Sequence, residues 1–230
     1  MKRVAPGITI FKRYGRFKNA CWLLQSGNEA AVVEMPMFKP TERPPYQRTE
    51  SFTRRRKLRL KYALLSHGHI DHCYTLPHFR ACFPNTQFVG HRSFLTDSHF
   101  HSLLRRLPGL PYDQWLAGRY VLFDEVFQGD LWQGDLAGEP LYMIHAPKHS
   151  PTDLLIIFRG VMITGDWVVG DLRDCNALVP TEQKKESIQR VRHLVGALGY
   201  HVHSMFSAHG DTLMYGVDFQ KVMEQSLRVH

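Results

Sequence analysis

Three histidines and an aspartate fall within six positions of the segment ALLSHGHIDHCYTL: His67, His69, Asp71 and His72. Imidazole nitrogens and carboxylate oxygens are the ligands that zinc and iron accept, so this crowding points first to metal chemistry. A buried core would gain little from such residues, and a solvated loop rarely needs so many imidazoles. Glycine at 68 permits a tight backbone path, which lets imidazoles two positions apart face one pocket. A local loop fans four ligands outward, so one tetrahedral ion suits them poorly. They divide more naturally between two adjacent ions, each needing further ligands from elsewhere in the chain.

Other elements must carry those ligands to the same place. YALLSH (62–67) reads as a buried strand that delivers the cluster at its end. The layout recurs three times: His149 in the loop between LYMIHA (141–146) and DLLIIF (153–158), Asp166 just past VMIT (161–164) and Gly165, and His209 after HSMFSA (203–208). Earlier strand-like runs are ITIFKR (8–13), CWLLQS (21–26) and AAVVEM (30–35), with TQFVGH (86–91) and YVLFDEV (120–126) in the middle of the chain. CYTLPHFRACF and residues 93 to Pro108 have helical spacing, and LPGLPYDQW breaks the latter. Ile188, Val191, Val195 and Leu198 share one helical face, and a last helix is expected at the C-terminus. The proline-rich stretch 36–50 reads as a loop over a site, and 107–118 as a second substrate-facing segment. Strand runs at both ends, with helices interleaved and late, predict one α/β domain over 1–230 in which helices cover two sheets.

The chain has 230 residues, 43% of them hydrophobic, enough to bury a core. No apolar run approaches the roughly 20 residues that span a bilayer, so no membrane partner is expected. The N-terminal stretch lacks a long apolar segment, and Cys21, Cys73, Cys82 and Cys175 form no CxxC pair. Reduced thiols in a cytoplasm are the simplest reading. The formal charge is +8, and Arg54, Arg55, Arg56, Lys57, Arg59 and Lys61 form a basic run. Such a run either meets phosphate or is a solvated face.

With its ligands in this order, the chain resembles the metallo-β-lactamase superfamily. His67, His69, Asp71 and His72 meet that family's HxHxDH signature; His149, Asp166 and His209 match its later ligands, and the separations fit from about residue 7 to 215. The resemblance implies an αββα sandwich of two mixed β-sheets flanked by helices, with a metal centre between the sheets. His67, His69 and His149 would hold a first metal; Asp71, His72 and His209 a second; Asp166 would bridge. Two divalent metal ions are implied, zinc foremost, with iron or manganese as alternatives. The implied activity is that of a binuclear metal-dependent hydrolase using a metal-bridging hydroxide, oriented by Asp71 and Asp166, on a small ester, thioester or lactone. The alternatives are a phosphodiesterase or nuclease acting on nucleotides or nucleic acid, and a mononuclear iron member resembling persulfide dioxygenases. A small molecule is thus the favoured partner and nucleic acid the rival; oligomeric state is not encoded legibly.

His72 replaces the arginine common in the main zinc β-lactamases, and GDWVVGDLRDCN lacks the Gly-Cys-Gly-Arg pattern of hydroxyacylglutathione hydrolases. Two other departures stand out. Glu34 occupies a position where many members carry aspartate, and Lys148 replaces a usual glycine, which predicts a cation near the substrate entrance. His145, the pair His201 and His203, and Cys73 lie near the ligands or mimic them, but are read as non-ligands. Histidines 78, 91, 99, 101, 193 and 230 are read as surface or packing residues, as are Tyr46, Tyr112 and Trp115.

Overall fold

The computed structural model describes residues 1–169, 172, 178–209 and 213–230. Cys175, Gly210 and half of GDWVVGDLRDCN therefore lie outside the described residues.

The chain opens as a meander of β1 (Lys2–Ala5), β2 (Ile8–Tyr14), β3 (Asn19–Ser26) and β4 (Glu29–Val33). Helix α1 (Pro45–Arg56) leads into β5 (Arg59–Leu64), α2 (Ile70–Cys73), α3 (Leu76–Cys82) and β6 (Gln87–His91). Three short helices follow, α4 (Ser93–Thr96), α5 (Ser98–Leu104) and α6 (Tyr112–Leu116), then β7 (Glu125–Phe127). Together β1 to β7 form one sheet in chain order, antiparallel up to β4 and parallel from β4 to β7.

The second sheet contains β8 (Leu131–Leu136), β9 (Glu139–His145), β10 (Leu154–Phe158), β11 (Val161–Gly165), β12 (Ser204–Ser207) and β13 (Leu213–Tyr215). Helix α7 (Thr181–Ala197) carries the chain from β11 to β12, the parallel pair, and α8 (Phe219–Val229) ends it.

Strand alternation explains the layers. Along β10, Leu154, Ile156 and Phe158 enter the core shared with the first sheet, whereas Leu155 and Ile157 enter a second core with α7. Helix α7 supplies Ile188, Val191 and Val195 to that second core, and α8 supplies Phe219 and Met223. On the other side, Phe52 of α1 and Phe79 of α3 pack with the first sheet. The architecture is therefore α-β-β-α, two mixed sheets flanked by helices, as expected.

Several boundaries differ from the sequence reading. Residues 45–50 belong to α1, because proline at its first turn needs no N–H partner there. The helix expected from 93 to Pro108 divides at Asp97, whose carboxylate accepts from Phe100 N–H and caps α5. Only Glu125 onward of YVLFDEV pairs as strand. Strands β1 and β8 are interrupted by polar residues and β13 is only three residues long, so pairing with a neighbour decides them. No helix among the described residues is long and apolar enough to cross a membrane.

Candidate metal centre

Both sheets deliver side chains to one end of the sandwich. Parallel β4 and β5 bring Glu34 and the loop 65–69 there; β9 and β10 bring the loop holding His149, β11 brings Asp166, and β12 brings His209. The sheets are tied together at this point. Leu154 N–H donates to Ser66 O at 2.6 Å, and Gly68 N–H donates to Thr152 Oγ1 at 2.9 Å.

All seven residues singled out from the sequence meet here. His67, His69, His149 and Asp166 each offer a ligand atom within 4.8 Å of one another, and so do Asp71, His72 and His209. Asp166 Oδ2 lies between the two groups: 3.8 Å from His67 Nε2 and 3.6 Å from His149 Nε2, and 3.4 and 3.3 Å from His72 Nε2 and His209 Nε2. His149 Nε2 approaches His69 Nδ1 to 3.2 Å, and His72 Nε2 approaches His209 Nε2 to 3.2 Å.

The opposite edge of most of these rings is held. Ser66 Oγ lies 3.0 Å from His67 Nδ1, Glu34 Oε2 lies 3.2 Å from His72 Nδ1, and Phe17 O lies 2.8 Å from His209 Nδ1. Such outer contacts fix ring orientation and leave the remaining nitrogen for the centre. Glu34 is wholly buried and has φ of 71°, a costly conformation for a residue with a side chain. Its carboxylate supports the His72 ring from the side away from the centre. Gly165 has φ of 55°, and a Cβ there would collide with Ser66, so glycine is required beside Asp166. At Gly68 the requirement is space: a Cβ would stand 2.6 Å from Phe100 Cδ2.

Charge divides the imidazoles. Burial, then the neighbouring His72, pushes His67 far below its ordinary value; burial, then His149, takes His69 down to about 4. For His72 burial acts downward too, but Asp166 and Glu34 outweigh it and hold the ring well above the usual range. His209 likewise overcomes burial through Asp166 and Asp71 and rises to about 9. Burial would raise the carboxyl of Asp166, yet His72 and His209 hold it far below normal. Asp71 is lowered by His209 and His72 against the effect of burial.

A divalent metal fits this donor set. Five imidazoles and two carboxylates converge with nitrogen facing nitrogen, and buried His67 Nε2 and Asp166 Oδ1 have no hydrogen-bond partner among the described residues. Nitrogen and carboxylate oxygen together suit zinc, iron or manganese better than calcium or magnesium.

One supporting residue was not foreseen. Asp153 is buried, and its Oδ2 accepts from the N–H groups of Lys148, His149 and Ser150 at 2.9, 2.6 and 2.9 Å. The loop presenting His149 is thus folded around this carboxylate. Its signal was an aspartate four residues after the histidine in HSPTD, the spacing of a side chain that captures backbone amides. Lys148 corrects an expectation. It is 0% exposed, and its Nζ donates to Trp167 O at 2.5 Å and Leu172 O at 2.9 Å, so it ties down the segment after Asp166 instead of facing substrate.

The remaining histidines stand apart from the donor set, with one neighbour. His145 stacks on His91 at 3.7 Å, His78 on Tyr46, and His101 packs against Trp115. His99 is exposed and its ring lies 5.5 Å from that of His69, at the rim. Cys73 is buried, with its thiol donating to His69 O.

A family model described as the metallo-beta-lactamase superfamily matches residues 14–197. Sequence comparison with curated proteins gives no significant match. Among solved structures, a metallo-beta-lactamase from Pontibacter korlensis aligns with a TM-score of 0.67 at 13% identity, over 99% of this chain and 96% of that one. A metallo-beta-lactamase family protein from Thermus thermophilus gives 0.65 at 17%, over 97% and 79%. An archaeal metallo-beta-lactamase superfamily protein from Sulfolobus tokodaii gives 0.61 at 18%, over 96% and 85%. At these identities the structural likeness is one of fold.

Proposed function

Since the chain belongs to the metallo-beta-lactamase superfamily and is a metal-dependent hydrolase by class, we propose that its centre takes two divalent ions, zinc foremost, and cleaves a small ester, thioester or lactone. The observation that carries this reading is the position of Asp166. One of its oxygens stands within 3.3 to 3.8 Å of imidazole nitrogens from both ligand groups, as a shared ligand must. His67, His69 and His149 would hold one ion, and Asp71, His72 and His209 the other. Ions bound there supply a hydroxide nucleophile at neutral pH and a Lewis acid for the developing oxyanion.

The chain's own groups do the rest. Ser66, Glu34 and the Phe17 carbonyl keep three rings turned inward, and Asp153 holds the loop of His149. Asp71 Oδ2, 3.2 Å from His209 Nε2, and Asp166 would orient the nucleophile. Phe17 is 52% exposed and its ring lies 6.5 Å from that of His209, which gives that side of the mouth an apolar wall. Such a rim suits a small acyl group.

The basic run supports a nucleic-acid reading only in part, because two of its six cations are already paired with acids. Arg54, Arg55 and Arg56 lie in the last turn of α1, Arg59 is paired with Glu29, and Lys61 with Glu29 and Asp135. The free thiols of Cys21, Cys73 and Cys82 suit a reducing compartment such as the cytoplasm.

The test is a side-by-side rate assay on metal-replete protein with an acyl thioester, a lactone and an activated phosphodiester, with metal counted per chain. We expect two ions, turnover of a carbonyl substrate, and a fall to background in Asp166→Asn with the fold intact. Turnover of the phosphodiester alone would transfer the protein to the rival class. A single iron and no hydrolysis would favour the dioxygenase-like alternative. A fully active Asp166→Asn would refute the shared-ligand assignment.

A further inference from the structure

A second concave site lies at the other end of the sandwich, and its wall is built from tight turns and arginines. The cavity measures about 430 Å³, within the roughly 300–1,000 Å³ of small-molecule pockets. Arg3 of β1, Arg56 of α1 and Arg159 of the β10–β11 turn line it, with Thr9, Gln25 and Ser26 as neutral polar groups. No carboxylate is among the described residues that line it. By contrast, the cavity along α8 sets Asp218 and Glu224 beside Lys221 and Arg228.

Strand geometry separates this cavity from the metal centre. β4 begins just after Gly27 at the cavity and ends beside Glu34 at the centre. Its five residues span about 16 Å. β10 likewise starts next to Asp153 and ends at Arg159.

Arg159 is held in a costly place. Phe158 pairs with Val161, so Arg159 and Gly160 form a two-residue turn, with φ of 49° and 75°. That turn favours asparagine or glycine at its first position, and a long side chain there stores strain. The guanidinium is aimed by Ser26 Oγ at 3.0 Å and by Glu139 at 3.2 Å, an acid outside the cavity lining. Arg56 stacks over Phe52, 5.5 Å from the ring centroid, and has no acidic partner among the described residues. Among those residues Arg3 donates only to Ala5 O, at 3.4 Å. All three arginines line the cavity, and planar guanidinium groups are matched to phosphate oxygens.

We propose that the cavity formed by Arg3, Arg56 and Arg159 binds a small organic diphosphate, remote from the metal centre. Three guanidinium groups meet the phosphates, and Gln25, Thr9 and Ser26 meet the hydroxyl or amide groups of the organic part. Exposed Arg54, Arg55 and Lys57 raise the local positive potential that draws the anion in.

The experiment is a titration of metal-loaded protein with ADP and, separately, inorganic pyrophosphate, followed by amide crosspeaks. Gly27 and Gly160 report on the cavity; Gly68 and His149 report on the metal centre. The expected result is saturable movement of the cavity pair with ADP, weakened about tenfold or more in Arg3→Ala/Arg56→Ala, with unchanged thermal stability and hydrolysis. Pyrophosphate binding as tightly as ADP would keep the anion site but remove the organic part of the ligand. Movement confined to Gly68 and His149, or equal titration of the double variant, would overturn the proposal. Binding of a short single-stranded oligonucleotide without any response to ADP would also overturn it, in favour of a nucleic-acid surface. Arg56→Lys, which keeps charge but loses the planar fork, should fall between wild type and the double variant.

Discussion

Where β5 delivers His67, the chain buries polar groups and holds them with contacts from distant segments; where β3 turns into β4, it leaves arginines exposed above tight hairpins. Both ends spend backbone strain, at Glu34 (φ 71°) and at Arg159 (φ 49°), but they stabilise it differently. Glu34 is wholly buried against His72 and receives the end of β5 through its own N–H to Leu64 O. Arg159 is partly exposed and leans on one hydroxyl and one surface acid. A metal centre needs several rings fixed at once, so its support must come from many directions. An anion site needs charge and reach, and local turns suffice.

The largest expected effect lies in the metal-end loop. Asp153→Ala would strand three amides, two of them buried and each of those worth about 1–3 kcal/mol when unsatisfied. We expect a loss of several kcal/mol in urea unfolding and a sharp fall in metal content, because His149 loses its frame. Wild-type metal retention would break the claim that buried polar support defines this end.

Lys148→Met should cost less. It leaves the carbonyls of Trp167 and Leu172 without that donor, at about 1–3 kcal/mol in total if water reaches one of them. Metal content should fall through the segment that follows Asp166, and Lys148→Arg should restore part of it.

The metal end should also be the acid-sensitive one. Burial, then His145, takes His91 down to about 4, from an ordinary 6.5. The folded ring stays neutral while the unfolded ring takes up a proton, so its contribution is complete above pH 6.5 and is lost as pH falls towards 4. Urea midpoints at pH 7.5 and pH 5 should diverge, and less so in His91→Gln. An unchanged difference in that variant would assign the acid sensitivity elsewhere.

The smallest effect, of opposite sign, is expected at the far end. Arg159→Asn relieves the left-handed strain and should raise stability by a few tenths to about 1 kcal/mol, while weakening any anion bound there. A destabilised variant would mean that the Glu139 and Ser26 contacts outweigh the strain.

The sequence by itself determined the two-sheet class and all seven residues that converge on the centre. Imidazoles and carboxylates at strand ends are legible wherever they occur, because their chemistry does not depend on what surrounds them. It also marked Glu34, and α7 by the spacing of Ile188, Val191 and Val195. Only the tertiary structure decided which acid frames His149, that Lys148 points inward to two carbonyls, and that Phe17 and His209, 192 positions apart, share a hydrogen bond. It decided too that Arg3, Arg56 and Arg159 meet, since no local pattern relates an edge strand, a helix end and a hairpin turn. Ligands are named by their own atoms, whereas support and charge clustering are properties of approach, which arises when strands pair and the two sheets close.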